Sequence, residues 1–575
     1  MGKLAETQYA VQLVGPDKLI LNKSKEVHMP GPHQILCRVE VVGLCFSDLK
    51  LLKQFSGHVR KSEIVSGIDP KILKDIPSYV PGEAPTVPGH ETVVIVVAVG
   101  PGVENFKTGE RYLVQTDYRW LHTAGANAAF GYNFEGALQE YVLMDERVIT
   151  SPEGDSMLIP VLENLSASAV ALVEPWACVE DAYASKERTS IKADGQMLVV
   201  ADTEVPTVSL EKLFNRYGRP KEITYLDARS SNLDEYRVSS IKHREYDDVV
   251  YFGSDAKTVE SLFGKLASHG LLNIVLCGGK FGKSVTTSIG RVHYGGIRIV
   301  GTTGSDPGES MQYIPPSDEI RPGDKINIVG AAGPMGTMHV IRNICQGVED
   351  VSVFAADVDD DRIAALTRIA APLAKKNNVD YQPYIPQAQR HRGTKEKSDF
   401  VPLPLCAFVP DSFDYTVLMA PVPDLVAAAV SSASESGIIN IFAGIPATVT
   451  AEIDLDAYIE KQLYLAGTSG STLDDMKQVL AKVESGRLNT NVLVAAVCGM
   501  EGATDGIRAV ENRTIAGKIM VYPACRGLGL TRLEELHQRM PDVARQLSDG
   551  MWNKAAEDTL LERAKCKSQN GKLRN

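Results

Sequence analysis

The sequence predicts an α/β protein in which a β-rich amino-terminal domain is followed by two consecutive doubly wound units. Short alternating stretches broken by Gly and Pro run to about residue 150, which is typical of antiparallel strands. From about residue 191, apolar strands alternate with helical stretches, as in a parallel sheet, and this later part contains a repeat. A chain of 575 residues is too long for a single core, which agrees with several domains.

The amino-terminal part predicts strands at Ile35–Val42, Thr92–Val99 and Glu140–Leu143. Between the first two, Gly57–Pro88 is long, polar and rich in turn residues, which indicates an extended loop that is either functional or a plain surface insertion. Three basic residues in this loop could hold a phosphate, although we favour solvent exposure for them: His58, Arg60 and Lys61.

The later part repeats itself at a nearly constant spacing. Three pairs of landmark positions lie 167, 167 and 166 residues apart, namely Tyr246 and Phe413, Gly270 and Gly437, and Gly301 and Gly467. We therefore divide the chain into a first domain at 1–190, completed by about 500–524, a first repeat at 191–315, a second repeat at 320–500 and a helical tail at 525–575. The strand that returns to the first domain is predicted at Gly517–Val521.

The composition is that of an ordinary globular protein, with 44% hydrophobic and 23% charged residues. The formal net charge of -12 argues against a nucleic-acid partner, because such binding needs basic patches that replace phosphate counterions. Nine scattered cysteines without a C-x-x-C pair indicate reduced thiols and exclude a closed four-cysteine zinc site. With neither a secretory signal nor a membrane-length apolar run, we expect a cytoplasmic protein without a membrane partner.

The second repeat opens with an apolar strand, a glycine-rich turn and the start of a helix. This order is typical of a site for the pyrophosphate of a dinucleotide, since glycine admits close approach and the helix N-terminus offers free N–H groups. Asp357 lies 21 positions after Gly336, where a carboxylate accepts hydrogen bonds from the adenosine ribose and favours NAD over NADP. In the strict glycine pattern, Ala331 replaces the first glycine. The candidate cofactor residues are Gly330, Ala332, Gly333, Pro334, Met335, Gly336, Asp357 and Arg362.

The first repeat has the corresponding strand but no glycine turn after it. Its strand at Met197–Ala201 is followed by Asp202 and, two residues later, by Glu204. Two carboxylates at this point would oppose a bound phosphate. The sequence therefore predicts that the first repeat is a degenerate copy that has lost nucleotide binding.

Three separated segments supply groups that suit zinc. Cys45 offers a thiolate, His90 an imidazole next to the carboxylate of Glu91, and Glu174 a further carboxylate before the first repeat. Taken singly, each has a structural explanation as a buried thiol, a satisfied histidine or a helix N-terminal acid. Together they form a Cys/His/Glu set that binds zinc and leaves one position open for water or substrate.

These motifs resemble the zinc-containing medium-chain alcohol dehydrogenase family. The resemblance is carried by the order of Cys45, His90-Glu91, Gly136–Tyr141, Glu174-Pro175 and Gly333–Gly336. Within the family, Asp357–Arg362 and Gly467–Gly470 look most like the branch of sorbitol dehydrogenase and sorbose-1-phosphate reductase. The likeness covers about 8–190 and 320–522, and it leaves out the first repeat and the tail.

The resemblance implies a GroES-like catalytic domain and a Rossmann domain, with the active site in the cleft between them. Both repeats are then Rossmann-like units, of which the first is degenerate. The implied ligands of Zn2+ are Cys45, His90 and either Glu91 or Glu174. Asp48 would orient a ligand, and Ser47 would hydrogen-bond the substrate oxygen and relay its proton.

The resemblance also implies the reaction, which is hydride transfer between NAD(H) and a secondary alcohol or ketone. The implied substrate is a polyol, a sugar or a sugar phosphate. Many relatives have a histidine three residues after the serine, and Lys50 occupies that position here as a candidate catalytic residue. The four-cysteine structural zinc lobe of some relatives is missing.

Two other functions fit the same residues. A tightly bound NAD could oxidise a sugar carbon transiently, so that the protein would be a lyase, epimerase or glycosidase with no net redox change. The chain could also be a non-catalytic assembly protein built from a decayed dehydrogenase.

The resemblance also implies a mode of oligomerisation, because relatives commonly dimerise by pairing edge strands of their Rossmann domains. We therefore consider a homodimer. As an alternative hypothesis, the end of the first repeat at Ile297–Gly301 pairs with the second repeat near Leu463–Gly467 and acts as an internal pseudo-partner.

Overall fold

The computed structural model describes residues 4–203, 207–227, 245–386, 412–468 and 470–572, so that Glu204 lies outside the described residues. The strands are β1 (Thr7–Leu13), β2 (Leu19–Glu26), β3 (Gln34–Gly43), β4 (Ile64–Ser66), β5 (Glu91–Val99), β6 (Arg111–Val114), β7 (Asp117–Thr123), β8 (Asn127–Ala129), β9 (Tyr141–Asp145), β10 (Leu158–Pro160), β11 (Gln196–Ala201), β12 (Glu222–Asp227), β13 (Tyr246–Phe252), β14 (Leu266–Val275), β15 (Val285–Thr287), β16 (Arg298–Thr302), β17 (Lys325–Val329), β18 (Ser352–Ala356), β19 (Asp380–Tyr384), β20 (Phe413–Leu418), β21 (Ala433–Ile441), β22 (Ala451–Ile453), β23 (Tyr464–Ala466), β24 (Val494–Cys498), β25 (Lys518–Val521) and β26 (Thr531–Arg532).

The helices are α1 (Phe46–Gln54), α2 (Pro70–Lys74), α3 (Glu146–Ile149), α4 (Ala167–Ala171), α5 (Val173–Ala184), α6 (Thr207–Tyr217), α7 (Ala256–Phe263), α8 (Ile289–Tyr294), α9 (Pro307–Met311), α10 (Pro334–Cys345), α11 (Asp360–Asn377), α12 (Pro423–Ser432), α13 (Leu455–Glu460), α14 (Leu473–Glu484), α15 (Met500–Glu511), α16 (Leu536–Arg539), α17 (Pro541–Ala544) and α18 (Lys554–Lys572). Across the described ranges, none of these helices has the length and apolar character that a membrane span requires.

The chain forms two compact bodies. The terminal body consists of Met1–Ala177 and Ser471–Asn575, and the central body consists of Cys178–Gly470. The boundaries that we expected at 190 and 500 therefore lie at different positions in the structure. The later boundary lies at 470 and not at 500, because β24 pairs with β25 in the sheet of the terminal body. The segment 471–493, which precedes β24, therefore also belongs to the terminal body.

The terminal body is built on an eight-stranded sheet in the order β10-β6-β5-β3-β25-β24-β26, with β9 also paired to β3. The predicted returning strand at 517–521 is present as β25, which pairs antiparallel with the end of β3. Val39, Val94 and Ile519 are among the fully buried side chains of its core. Strand β3 lies at the centre of this sheet, so its carboxyl end is held on both sides.

The tail after residue 525 is not a separate domain, because it packs on the terminal body. The indole of Trp552 is fully buried, and its Nε1–H donates to the hydroxyl of Tyr522 at 3.0 Å. Arg526 forms two hydrogen bonds to the carboxylate of Glu140, at 2.7 and 2.6 Å. The tail is largely helical as predicted, although Thr531–Arg532 adds a short strand beside β24.

The central body contains two parallel sheets, one for each repeat. The first repeat forms the order β12-β11-β13-β14-β16, and the second forms β19-β18-β17-β20-β21-β23. When only the strands of this sheet are counted in chain order, the second sheet has the order 3-2-1-4-5-6, which is that of a Rossmann fold. β13 and β20 are buried along nearly their whole length, as expected of strands in a parallel sheet that is covered on both faces. The predicted α/β fold with two consecutive Rossmann-like units is confirmed.

The segment 57–88 is more ordered than the extended loop that we expected. It contains the short strand β4, paired with β7, and the short helix α2. Lys61 is fully buried, and its ammonium donates to the carbonyl oxygens of Val80 and Ala84. Solvent exposure was therefore the wrong prediction for Lys61 and also for His58, which is buried as well. A buried ammonium needs acceptors, and here the backbone of the segment itself supplies them.

Candidate active site

Two neighbouring strands of the terminal body bring the candidate metal ligands together. β3 ends at Gly43, two residues before Cys45, and β5 begins at Glu91, directly after His90. Gly43 and Glu91 are opposite each other in the antiparallel pairing of these strands. One ligand atom each of Cys45, His90 and Glu91 consequently lies within 4.8 Å of the other two. Within the part of the chain that the structure describes, this is the only such group of three.

Gly43 makes room for the carboxylate in this group. A Cβ atom at position 43 would lie 2.3 Å from Oε2 of Glu91, a distance that real side chains do not reach. Any larger residue at this position would therefore push the Glu91 side chain out of its place. The glycine before the cysteine is thus a requirement of the site and not only of the strand end.

The carboxylate of Asp48 contacts both His90 and Cys45. Its Oδ1 lies 3.1 Å from Nδ1 of His90, and its Oδ2 accepts a hydrogen bond from the backbone N–H of Cys45 at 3.2 Å. An ionised carboxylate can only accept, so Nδ1 of His90 carries a proton in this contact. Burial alone would lower the pKa of His90, but the carboxylate of Asp48 and the sulfur of Cys45 raise it well above its usual value.

Ser47 lies directly at the ligand atoms. Its Oγ is 3.0 Å from Sγ of Cys45 and 3.0 Å from Nε2 of His90. Lys50 lies one turn further along α1 and is exposed. The helix therefore places a hydroxyl at the ligand group and an ammonium at the surface of the same helix.

Lys518 is a site residue that the sequence analysis did not single out. Its ammonium donates to Oε1 of Glu91, and both side chains are almost completely buried. Burial favours the neutral amine, but the charges of Glu91 and Cys45 raise the pKa of Lys518 above its usual value. The signal was available in the sequence, because a lysine inside an apolar buried strand needs a buried acid as its partner.

Glu174 is in the first turn of α5 and is 8% exposed. It is not a member of the three-residue group within 4.8 Å, although it lies close enough to interact electrostatically with that group. Burial raises the pKa of Glu174 to about 7, against the opposing effect of His90. Of the two alternative acids, the structure thus brings Glu91 into the compact group and leaves Glu174 beside it.

The segment 57–88 contributes aromatic and basic neighbours to this site. The ring centroid of His58 lies 5.0 Å from that of Tyr132, and the ring centroid of His90 lies 6.0 Å from it. The guanidinium of Arg60 is 5.8 Å from the same Tyr132 ring and 3.5 Å from a carboxylate oxygen of Asp117. Burial, Arg60 and Lys50 lower the pKa of His58 to about 4, so His58 is neutral at pH 7.

A carboxylate of the tail supports the helix that leads to Glu174. Glu557 accepts the backbone N–H groups of Ala167 at 2.5 Å and Ser168 at 2.9 Å, which begin α4. The hydroxyl of Tyr522 donates to the same carboxylate at 2.9 Å. A negative charge at a helix N-terminus is stabilising, and here it fixes the short helix directly before α5.

We expect Glu557→Gln to lower the free energy of unfolding by about 1–3 kcal/mol, because an amide cannot accept at both positions and leaves a buried N–H without a partner. Denaturant titration measures this change. Glu562→Gln is the matched control, since Glu562 is exposed on the same helix. Equal stability of the two variants would contradict the role assigned to Glu557.

The glycine turn of the second repeat has the local structure that a dinucleotide site needs. It joins β17 to α10, whose first helical residue is Pro334 and whose N-cap is Gly333. Gly330 has φ +86°, and a Cβ at Gly336 would lie 2.3 Å from the carbonyl oxygen of Gly330. The left-handed residue of the turn is thus Gly330, which explains why Ala331 is tolerated after it. A Cβ at Gly333 would meet no atom closer than 3.8 Å, so the backbone there is accessible.

The remaining candidate cofactor residues surround this turn. Asp357 directly follows β18, and its Oδ2 accepts the backbone N–H of Ala332 at 3.0 Å. Met335 is half-buried in the first turn of α10. Arg362 is in the first turn of α11, and its Nε lies 3.6 Å from a carboxylate oxygen of Asp359. The structure therefore brings Asp357 to the turn and places Arg362 on the helix beyond it.

The β-rich terminal body contains the Cys/His/Glu group, and the second repeat of the central body contains the glycine turn. The alcohol dehydrogenase GroES-like domain matches residues 31–153, which include Cys45, His90 and Glu91. The match covers 31–153 alone, so it shows an alcohol dehydrogenase GroES-like domain in this part of the chain.

Individual relatives are distant. The chain is 27% identical over 254 residues to the uncharacterized protein YggP of Escherichia coli strain K12, over 42% of this chain and 57% of that protein. It is 23% identical over 340 residues to mannitol-1-phosphate 5-dehydrogenase of Aliivibrio fischeri, over 52% of this chain and 78% of the relative. The structure of 2R,3R-butanediol dehydrogenase from Bacillus subtilis matches with a TM-score of 0.50 and 16% identity, covering 90% of this chain and 100% of that one, which shows likeness of fold.

Proposed function

We propose that the protein is a zinc-dependent oxidoreductase that transfers a hydride between NAD(H) and a secondary alcohol or ketone of a polyol, sugar or sugar phosphate. The observation that carries this proposal is the group of Cys45, His90 and Glu91, whose ligand atoms lie within 4.8 Å of one another. The similarity to a mannitol-1-phosphate 5-dehydrogenase supports a polyol or its phosphate as the substrate class.

The donor set fits zinc. A thiolate, an imidazole and a carboxylate are the ligands that catalytic zinc prefers, and a three-residue set leaves room for a fourth ligand. Oε2 of Glu91 is buried and has no hydrogen-bond partner among the described residues, as expected of an atom that a cation would satisfy. Cys45, His90 and Glu91 would hold the ion, with Glu174 as the alternative acid. When bound, the ion supplies Lewis-acid polarisation of an oxygen.

The residues around the three ligands would orient them and handle the substrate proton. Asp48 fixes the ring of His90 and thereby directs its Nε2 toward the Cys45 sulfur. The hydroxyl of Ser47, at 3.0 Å from both ligand atoms, would hydrogen-bond the substrate oxygen and hold its proton. Lys50, exposed on the next turn of α1, would release one of its own protons to solvent and then, as an amine, accept that proton.

The fit of NAD rests on the turn after β17. The accessible backbone at Gly333 and the N-terminus of α10 would receive the pyrophosphate. Asp357 would accept hydrogen bonds from the ribose hydroxyls, because a carboxylate oxygen that accepts one N–H retains a second lone pair. Its negative charge disfavours a 2′-phosphate, which supports NAD over NADP.

Transient oxidation by a lyase, epimerase or glycosidase receives no support from the comparisons. The mannitol-1-phosphate relative and the butanediol relative both have dehydrogenase names. We therefore expect reduced cofactor to accumulate as product forms, which an internal oxidation and reduction cycle would not show.

The test is a panel of matched substrates with NAD and with NADP, after zinc content has been measured. Mannitol and mannitol 1-phosphate form the central pair, because they differ only in the phosphate. We expect absorbance at the nicotinamide band to rise with one NADH for each product molecule, and to rise faster with NAD than with NADP. Product formation without NADH, or a zinc-loaded protein inactive on every polyol, sugar and sugar phosphate tested, would contradict the proposal.

A further inference from the structure

The two repeats of the central body match in details that go beyond a shared fold. His269 in β14 has φ 60° and Ser436 in β21 has φ 56°, and these two residues lie 167 positions apart. The backbone N–H of His269 donates to the carbonyl of Gly295, and that of Ser436 donates to the carbonyl of Lys461, 166 positions after Gly295. A left-handed non-glycine residue is uncommon, so its recurrence at the equivalent point shows that both repeats have the same backbone design.

A second pair of equivalent residues makes the same contact in each repeat. Asp247 accepts the backbone N–H of Gln196, the first residue of β11, at 2.9 Å. Asp414, 167 positions later, accepts the backbone N–H of Lys325, the first residue of β17, also at 2.9 Å. In each repeat, the start of the first strand is thus tied in the same way to a neighbouring strand, β13 in the first repeat and β20 in the second.

The two repeats meet through equivalent segments. β15 of the first repeat pairs antiparallel with β22 of the second, and Thr286 is opposite Glu452, 166 positions later. An antiparallel pair in which a position faces its own equivalent is the arrangement that a two-fold axis produces. Here both partners belong to one chain.

Glycine packing at this contact is reciprocal. A Cβ at Gly301 would lie 2.7 Å from Cγ1 of Ile459, and a Cβ at Gly467 would lie 3.2 Å from Cα of His293. Gly467 is the equivalent of Gly301, and Ile459 is the equivalent of His293, since both pairs are 166 positions apart. Gly301 thus packs on Ile459, while the equivalent of Gly301 packs on the equivalent of Ile459. This reciprocity defines an isologous interface.

One side chain links the edge strands of the two sheets. The hydroxyl of Tyr458 donates to the carbonyl of Ile299 in β16 at 2.8 Å and accepts the backbone N–H of Leu465 in β23 at 3.0 Å. Arg298 of β16 also donates to the carbonyl of Gly467 at 3.3 Å. The outermost strand of the cofactor-binding sheet is thus covered by the first repeat.

The nucleotide position of the first repeat is occupied by its own side chains. Asp202 directly follows β11, where Gly330 follows β17 in the second repeat. The hydroxyl of Tyr251 donates to the carboxylate of Asp202 and accepts the backbone N–H of Asp255 at 2.8 Å. A half-buried acid and a phenol occupy the end of the strand, so the first repeat keeps the fold while its own cofactor turn is lost.

We propose that the first repeat takes the place of a second subunit, so that one chain forms internally the two-fold contact of a dimer and works as a monomer. The cofactor-binding repeat then has its exposed sheet edge covered without any partner chain. This inference is independent of the substrate and of zinc, because it rests on contacts within the central body.

The first test places a cysteine at each of two opposed positions, in the double variant Thr286→Cys/Glu452→Cys of the full chain. Directly opposed residues in an antiparallel pair have Cβ atoms roughly 4.5–5.5 Å apart, which admits a disulfide after modest adjustment. After mild oxidation we expect a cross-link within one chain, read by peptide mass spectrometry and by single-chain mobility on a non-reducing gel. The single variants serve as controls and should remain uncross-linked.

Cross-linked dimers from either single variant would overturn the proposal, because they would show that the strand meets a second copy. A double variant whose two new thiols stay free would also overturn it. The wild-type chain gives a second, variant-free measurement by native mass spectrometry, where we expect one chain per particle with NAD present. A stable two-chain particle would show that a partner subunit is still required and would refute the replacement.

Discussion

Replacing Cys45 with Ala is expected to abolish metal retention and turnover together. The variant removes the only thiolate from the group that also contains His90 and Glu91, and two remaining ligands bind zinc weakly. We expect kcat/KM to fall by roughly 1,000-fold or more, which corresponds to about 4 kcal/mol of lost transition-state stabilisation. Zinc per chain after dialysis against a weak chelator, measured beside the rate, checks both parts of this expectation.

The matched control is Cys566→Ala, because Cys566 is an exposed thiol on α18. It should retain zinc and activity at the wild-type level. If the Cys45→Ala variant still held one zinc per chain and still turned over substrate, the proposed centre would be refuted. Loss of activity with full zinc retention would instead place the ion elsewhere, which equally contradicts the assignment.

The second large effect is expected for Gly336→Ala in the cofactor turn. The new methyl group would lie 2.3 Å from the carbonyl of Gly330 and 2.7 Å from that of Ala331, so the turn must move away from α10. We expect the dissociation constant of NAD to rise on the order of 100-fold, which is about 2.7 kcal/mol. Titration calorimetry with NAD measures this change without any need for a substrate.

Zinc content should be unchanged in Gly336→Ala, because the candidate metal ligands belong to the terminal body. Gly264→Ala is the control within the central body, since a Cβ there meets its nearest atom at 3.6 Å. An NAD affinity equal to the wild type in Gly336→Ala would show that the turn does not receive the cofactor. Equal losses in both variants would indicate general destabilisation of the central body.

Much of the fold was predictable because strand patterns and repeats are local signals. The apolar runs of the central body and the offset between Tyr246 and Phe413 indicate two parallel sheets, and the structure contains both. Body boundaries were less predictable, since they depend on which distant strands pair. The segment after Gly470 looks like a continuation of the second repeat, yet β24 pairs with β25 and draws it into the terminal body.

The candidate site was predictable to the extent that its residues have characteristic neighbours in sequence. Cys45, Asp48 and His90 could be grouped because their motifs resemble one family, and the structure brings their side chains together. The apolar strand around Lys518 indicates that its ammonium needs a buried acid, but no local pattern identifies that acid as Glu91, 427 positions away. The burial of Lys61 was missed for a related reason, because its acceptors are backbone carbonyls, which any sequence could supply.

The position of β25 has a consequence for how the protein matures during translation. The last strand to emerge from the ribosome before the tail inserts beside β3, and it carries Lys518, the counter-charge of Glu91. A nascent chain that has reached only residue 500 therefore has an unfilled gap in its first sheet and a carboxylate that lacks its ammonium. Assembly of the group of Cys45, His90 and Glu91 with its lysine counter-charge therefore waits until residue 518 has been synthesised.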